Sequence, residues 1–178
     1  MKFLIASVIH GSRFYAEKLL KCFEQEGADK LILLGDLYYH GPRNPLPEGY
    51  DPMGVAQLLN GMADKLLVVK GNCDSDVDGM ISVFPFVSEA VLVDGGKQIF
   101  LQHGDRFSID RLPSNCGDAF VYGHYHTGFL RRTGKILVGN CGSVSLPKDG
   151  TAHSYMIEEG GVLTLKDISG AVIVSEKI

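Results

Sequence analysis

The chain has 178 residues, 45% of them apolar, with a formal charge of −4, enough for one well-filled core and a single domain over 1–178. The acidic balance and the lack of any basic run exclude a reader of phosphate backbones, so no nucleic-acid polymer is expected as a partner. Apolar runs of about four to six residues fall far short of the ~20 that span a bilayer, and MKFLIASVIHGS has too short an apolar core for a secretory signal, which predicts a cytoplasmic protein with no membrane association.

In chain order, KFLIAS, DKLILLGD and KLLVVKGN are short runs rich in Leu, Ile and Val, the pattern of strands buried on both faces. Between the first two, Tyr15, Ala16, Leu19, Leu20 and Phe23 recur at helical spacing, with Ser12 placed to cap the start and Gly27 the end. Asp51 to Asp64 repeats this with Val55, Leu58, Leu59 and Met62 facing inward and Pro52 in the first turn. The first half therefore reads as a β-α-β-α-β parallel unit. From Leu37 to Tyr50 neither period holds, and a stretch with three prolines and three tyrosines reads as a functional loop following Asp36.

The second half changes character. SEAVLVDGGKQIFLQHG is two β-rich runs joined at Asp94-Gly95-Gly96, a hairpin signal. DAFVYGHYH is followed by strand-like runs broken at Thr133-Gly134, Gly160-Gly161 and Ser169-Gly170, which predicts antiparallel strands. Four widely spaced cysteines, Cys22, Cys73, Cys116 and Cys141, with no CxxC pair, read as free thiols. The expected architecture is α/β, two sheets with helices outside, and its exposed edge strands make a homodimer plausible.

Ligands of parallel α/β sheets bind beyond the carboxyl ends of the strands. His10, Asp36, Asn72, His103, His124 and His126 all stand just after apolar runs, and most adjoin a glycine. Each alone reads as an ordinary turn residue; together they are a metal-binding set. Imidazole with carboxylate suits Zn, Mn or Fe, and the lack of a thiolate set argues against a closed structural zinc site. Two divalent ions about 4 Å apart can clamp a phosphoryl group and acidify a water, with Asp36 as the bridging carboxylate.

The series SVIH, LLGD, GNCD, QHGD and GHYH resembles the calcineurin-like metallophosphoesterases, and HGPRNPLPEGY, GNCDSDVD and GSVSLPK resemble the small bacterial YfcE-type phosphodiesterases. The resemblance implies a four-layer αββα sandwich of two mixed β-sheets and two divalent ions, commonly Mn, with Co as a further candidate. By motif, His10, Asp36 and His126 would bind the first ion, and Asp36, Asn72, His103 and His124 the second. The activity implied is hydrolysis of a small phosphodiester or phosphomonoester by a metal-bound hydroxide.

Two positions depart from the family pattern. Its first motif begins with Asp where this chain has Val8, and the usual histidine of GNHD is here Cys73. An isopropyl group binds no cation, so the first position is expected to be weak or empty. A weakly active or inactive binding module of the same fold is the alternative, with Val8 merely extending the buried strand FLIASV. Candidate catalytic residues are Asn72, Cys73, Asp74 and His124. Cys73 is read as lying near the leaving group rather than as a nucleophile. Asp74 is read as orienting a ligand histidine through its other ring nitrogen. Arg43, Asn44 and Asp105 are candidates for substrate contact. Tyr38, Tyr39 and Tyr50 either wall the leaving-group side or pack the loop, and Asn140 and Ser143 support a turn near the site.

Overall fold

A computed structural model describes residues 1–178. The chain alternates β1 (Lys2–Ala6), α1 (Arg13–Glu26), β2 (Lys30–Leu33), α2 (Pro52–Asn60), β3 (Leu66–Val69), α3 (Asp76–Ile81) and β4 (Phe86–Val87). Strands follow: β5 (Ala90–Asp94), β6 (Lys97–Leu101), β7 (Ala119–Tyr122), β8 (Gly128–Thr133), β9 (Ile136–Cys141), β10 (Ser154–Glu159), β11 (Val162–Asp167) and β12 (Val172–Lys177). They form two mixed sheets, ordered β12-β11-β10-β1-β2-β3-β4 and β5-β6-β7-β9-β8. No helix is long and apolar enough to cross a membrane.

Local chemistry sets the helices as the sequence predicts. The Ser12 hydroxyl accepts from the Tyr15 amide at the start of α1, and Gly27 ends it in the left-handed region. Asp51 caps α2 and Pro52 occupies its first turn, although the helix stops at Asn60 and a short 3-10 turn, Ala63–Lys65, completes the connection.

The near-continuous apolar strands reflect burial on both faces. Along β1, Leu4 and Ala6 pack under α1 and α2, whereas Phe3 and Ile5 face the second sheet. In β2, Leu31 and Leu33 point to the helices and Ile32 to the interior between the sheets. Each apolar residue thus serves one of two cores; a Leu-to-Ala change at such a site costs about 2–5 kcal/mol.

Two features differ from expectation, and a third is one the sequence does not specify. Strand β7 runs parallel to both β6 and β9, so the second half is not purely antiparallel. Beside β6 the reason is the long crossover from Gln102 to Asp118, which carries the chain back before β7 begins; beside β9 it is that β8 runs back along the edge and β9 returns. That crossover also supplies the outermost layer, where Phe107, Ile109 and Leu112 cover Phe100, Phe120 and Tyr122; coil covers this face instead of helix. Finally, the β10–β12 meander joins the first sheet, with β10 antiparallel to β1.

Candidate metal centre

The carboxyl ends of β1, β2 and β3 in one sheet and of β6 and β7 in the other open toward the same point, and the segments beyond them are laced together. The Val8 amide donates to the Gly35 carbonyl at 3.0 Å, the His10 amide to Asp36 at 2.9 Å, and the Gly123 amide to His103 at 2.8 Å. The His103 ring crosses between the sheets to the Leu34 carbonyl at 2.6 Å. Close approach demands glycine at two places: a Cβ on Gly35 would stand 2.4 Å from the Gly71 nitrogen, and one on Gly71 2.3 Å from Asp36 Oδ1.

Six non-glycine residues adopt positive φ, and five of them, Val8, His10, Asp36, His124 and His126, lie at these tips. Such conformations cost on the order of 1–3 kcal/mol each and persist where the surroundings enforce them. The turns that aim these side chains are therefore strained together, at the site and almost nowhere else.

Three imidazoles are anchored at the rear. The Nδ1 atoms of His10, His103 and His126 each lie 2.6 Å from a carbonyl, those of Tyr39, Leu34 and Leu146. A carbonyl can only accept, so each ring carries a proton on Nδ1 and turns Nε2 forward, where a neutral ring presents a lone pair. Those lone pairs converge. His10 Nε2 is 3.4 Å from His126 Nε2 and 3.6 Å from Asp36 Oδ2. His103 Nε2 is 3.4 Å from Asp36 Oδ2, 3.0 Å from Asn72 Oδ1 and 3.1 Å from His124 Nδ1.

Lone pairs crowded this closely fit cations. Asp36, His103 and His124 offer donor atoms within 4.8 Å of one another, as do His10, Asp36 and Cys73. Electrostatics agree with that reading for three of the four rings. Burial keeps His10 and His124 below the ordinary histidine value and pushes His126 down to about 4, so these rings are neutral. For His103, burial opposes the charge, yet contact with the Asp36 carboxylate raises it above the usual value. Burial alone would raise the Asp36 carboxyl, but His103 and His10 hold it down to about 2, an anion at any working pH.

The centre floors a cleft of about 460 Å3 lined by Asp36, Arg43, Asn44, Asn72, Cys73, His124 and His126. Sequence reasoning missed two further lining residues, Tyr125 and Lys148. The Lys148 amide donates to the His126 carbonyl at 3.0 Å, which brings this cation to the rim. The Asn44 amide group donates to the His40 carbonyl at 2.8 Å and reaches 3.5 Å from His10 Nε2.

Several expected roles are corrected. Asp74 orients no histidine: its buried carboxylate accepts from the amides of Asp36, Leu37 and Gly71 at 2.8, 2.8 and 2.7 Å. It therefore shapes the turn that presents Asp36. Burial and the neighbouring Asp36 charge push its carboxyl up to about 6 despite those donors. Asp74→Ala strands three buried N–H groups, and a loss of about 3 kcal/mol in unfolding free energy is expected by urea denaturation.

Asp105 lies outside the cleft, in a neighbouring depression with Lys70 and Arg106, where it accepts from Gln102 Nε2 at 2.5 Å. None of Tyr38, Tyr39 and Tyr50 lines the cleft. Tyr38 is buried and meets Ser82 Oγ at 2.7 Å, and Tyr50 stacks edge-on with His40, so these rings secure the loop. Burial and the Asp36 charge push the Cys73 thiol up to about 12, which leaves no thiolate nucleophile in the absence of a cation. Asn140 and Ser143 do support the turn: Asn140 Nδ2 donates to Gly123 at 2.6 Å and Ser143 Oγ to the Val8 carbonyl at 2.9 Å.

Val8 itself does not extend the buried strand, since β1 ends at Ala6. It is fully buried, with φ of 63°, and it is the one buried apolar side chain that packs in none of the three hydrophobic clusters. A β-branched residue is a poor fit to left-handed backbone, which asparagine and aspartate tolerate best after glycine.

Residues 1–160 match the model of the calcineurin-like phosphoesterase superfamily domain. The chain belongs to that superfamily. It is 43% identical over 179 aligned residues to phosphodiesterase YfcE of Escherichia coli K12, covering 99% of this chain and 97% of the relative. The solved structure of the E. coli phosphoesterase YfcE superposes with a TM-score of 0.95 at 40% identity, covering both chains completely. Vacuolar Protein Sorting 29 from Cryptosporidium parvum matches at a TM-score of 0.65 and 15% identity over 99% of this chain and 98% of that one, a likeness of fold alone. The phosphoesterase fold accounts for the strand-tip location of the centre, and the two-sheet frame is shared by both relatives.

Proposed function

We propose that this chain is a metal-dependent phosphodiesterase acting on small phosphodiesters, with two metal positions that share Asp36. What carries the reading is the convergence of one Asp36 oxygen with forward-facing nitrogens of His10 and His103, 3.6 and 3.4 Å away, from two different sheets. His10, Asp36 and His126 would hold the first ion, and Asp36, Asn72, His103 and His124 the second. Divalent ions there supply Lewis-acid polarisation of the phosphoryl oxygens and a water acidified toward neutral pH.

The chain's own residues supply the rest. Nδ1 anchoring keeps the rings from turning as charge develops, a preorganisation that water lacks. Arg43 and Lys148 set two cations at the cleft rim, where they suit phosphoryl oxygens that face away from the centre. Exposed Asn72 and half-buried His124 leave that side of the centre open to a leaving group.

Val8 deprives the first position of a carboxylate. Two dications bring about +4 of charge against a single Asp36 anion, so manganese at the first position is weakly held. The same observation favours a second reading, a binding module of this fold with little turnover. Hydrolysis of bis-p-nitrophenyl phosphate by the purified chain with Mn, Co or Zn separates the two. Turnover that a chelator removes supports the enzyme; bound metal with no turnover under any ion supports the module.

A further inference from the structure

The first metal position is short of an anion, and a sulfur whose one hydrogen-bond partner is Asn72 Nδ2 at 3.5 Å stands next to it. Cys73 Sγ, a ring nitrogen of His10 and a carboxylate oxygen of Asp36 all lie within 4.8 Å of one another. The thiol is held there by backbone: the Cys73 amide donates to Asp36 Oδ1 at 2.9 Å, tying the residue to that carboxylate. From the other side the loop presses onto the sulfur, and a Cβ on Gly41 would stand 3.0 Å from Sγ. Sulfur, nitrogen and oxygen thus form a triangle sized for a shared ion, and its sulfur also lines the cleft.

We propose that Cys73 supplies the anionic ligand that Val8 cannot, making the first position a His10–Asp36–Cys73 thiolate site that selects zinc, cobalt or cadmium over manganese. His126, whose Nε2 lies 3.4 Å from that of His10, is a further donor. The inference rests on the metallophosphoesterase reading for its place and deepens it by naming the class of metal.

The chemistry balances simply. The S–H bond of Cys73 breaks, its electron pair forms the sulfur–metal bond, and the proton leaves to solvent; nothing is oxidised or reduced. A coordinating thiol is deprotonated outright by the ion. Thiolate plus the Asp36 carboxylate restore two negative charges around a dication, and soft sulfur favours zinc-like ions whereas manganese prefers harder oxygen and nitrogen. Cys22, Cys116 and Cys141 are buried elsewhere and compete for no ion in the cleft.

Cobalt(II) titration of the full chain, followed by absorption, tests this. The expected result is a near-ultraviolet sulfur-to-cobalt charge-transfer band that saturates at one ion per chain and is absent in Cys73→Ser. Cys73→Ser should also bind zinc at this position at least about tenfold more weakly, with an unchanged melting curve in the metal-free state. Two cobalt ions bound without the band overturn the Cys73 assignment alone. No cobalt bound, or binding indifferent to Asp36→Asn, overturns the metal centre and the Cys73 site with it.

Discussion

Asp36→Asn is expected to reduce metal-dependent hydrolysis of bis-p-nitrophenyl phosphate by roughly 10^3-fold. Asparagine keeps the size of the side chain and an oxygen for the Cys73 amide, which lies 2.9 Å from Asp36 Oδ1. What it removes is the anion that faces His10 and His103 at once. Both positions lose their shared charge, so the rise in melting temperature on adding Mn or Zn should vanish as well. Without metal the variant should melt close to the parent, because asparagine keeps the Cys73 bond and is cheaper to bury, which offsets the lost attraction of His103 and His10. A metal-free unfolding temperature well below the parent's would instead make Asp36 a structural residue.

Val8→Asp should act in the opposite direction. The backbone at residue 8 already has the φ of 63° that aspartate tolerates and a β-branched residue does not, and the present side chain contributes to no core cluster. A carboxylate there adds a second anion at the first position. Manganese stoichiometry by calorimetry is expected to rise from near one to two ions per chain, and the manganese-dependent rate by at least about tenfold. The zinc-dependent rate should change less if the proposed Cys73 thiolate serves that ion. An unchanged manganese rate at doubled stoichiometry would place the limit on turnover elsewhere in the cleft.

Much of this was legible in the chain because the signals were local. Ser12 and Gly27 fix the limits of α1 through their own side chain and backbone. The six donors were legible because each sits at the end of an apolar run, and the fold puts such ends together. What escaped had non-local causes. The parallel pairing of β7 with β6 follows from a long crossover whose path no short pattern encodes. Asp74 looked like a histidine partner, but its partners are three backbone amides, invisible in a sequence of side chains. Lys148 ends the GSVSLPK stretch, but it reaches the cleft through the amide it gives to His126, a contact that its own residue type does not announce. Val8 read as part of a strand because its neighbours are apolar; its left-handed backbone is a tertiary constraint.

Anomalous diffraction from crystals grown with zinc tests the central claim most directly. The account predicts two zinc peaks at the floor of the cleft with the Asp36 carboxylate between them, one bonded to His10 Nε2 and Cys73 Sγ and the other to Asn72, His103 and His124. Zinc peaks confined to other surfaces, with these imidazoles unliganded, would contradict it.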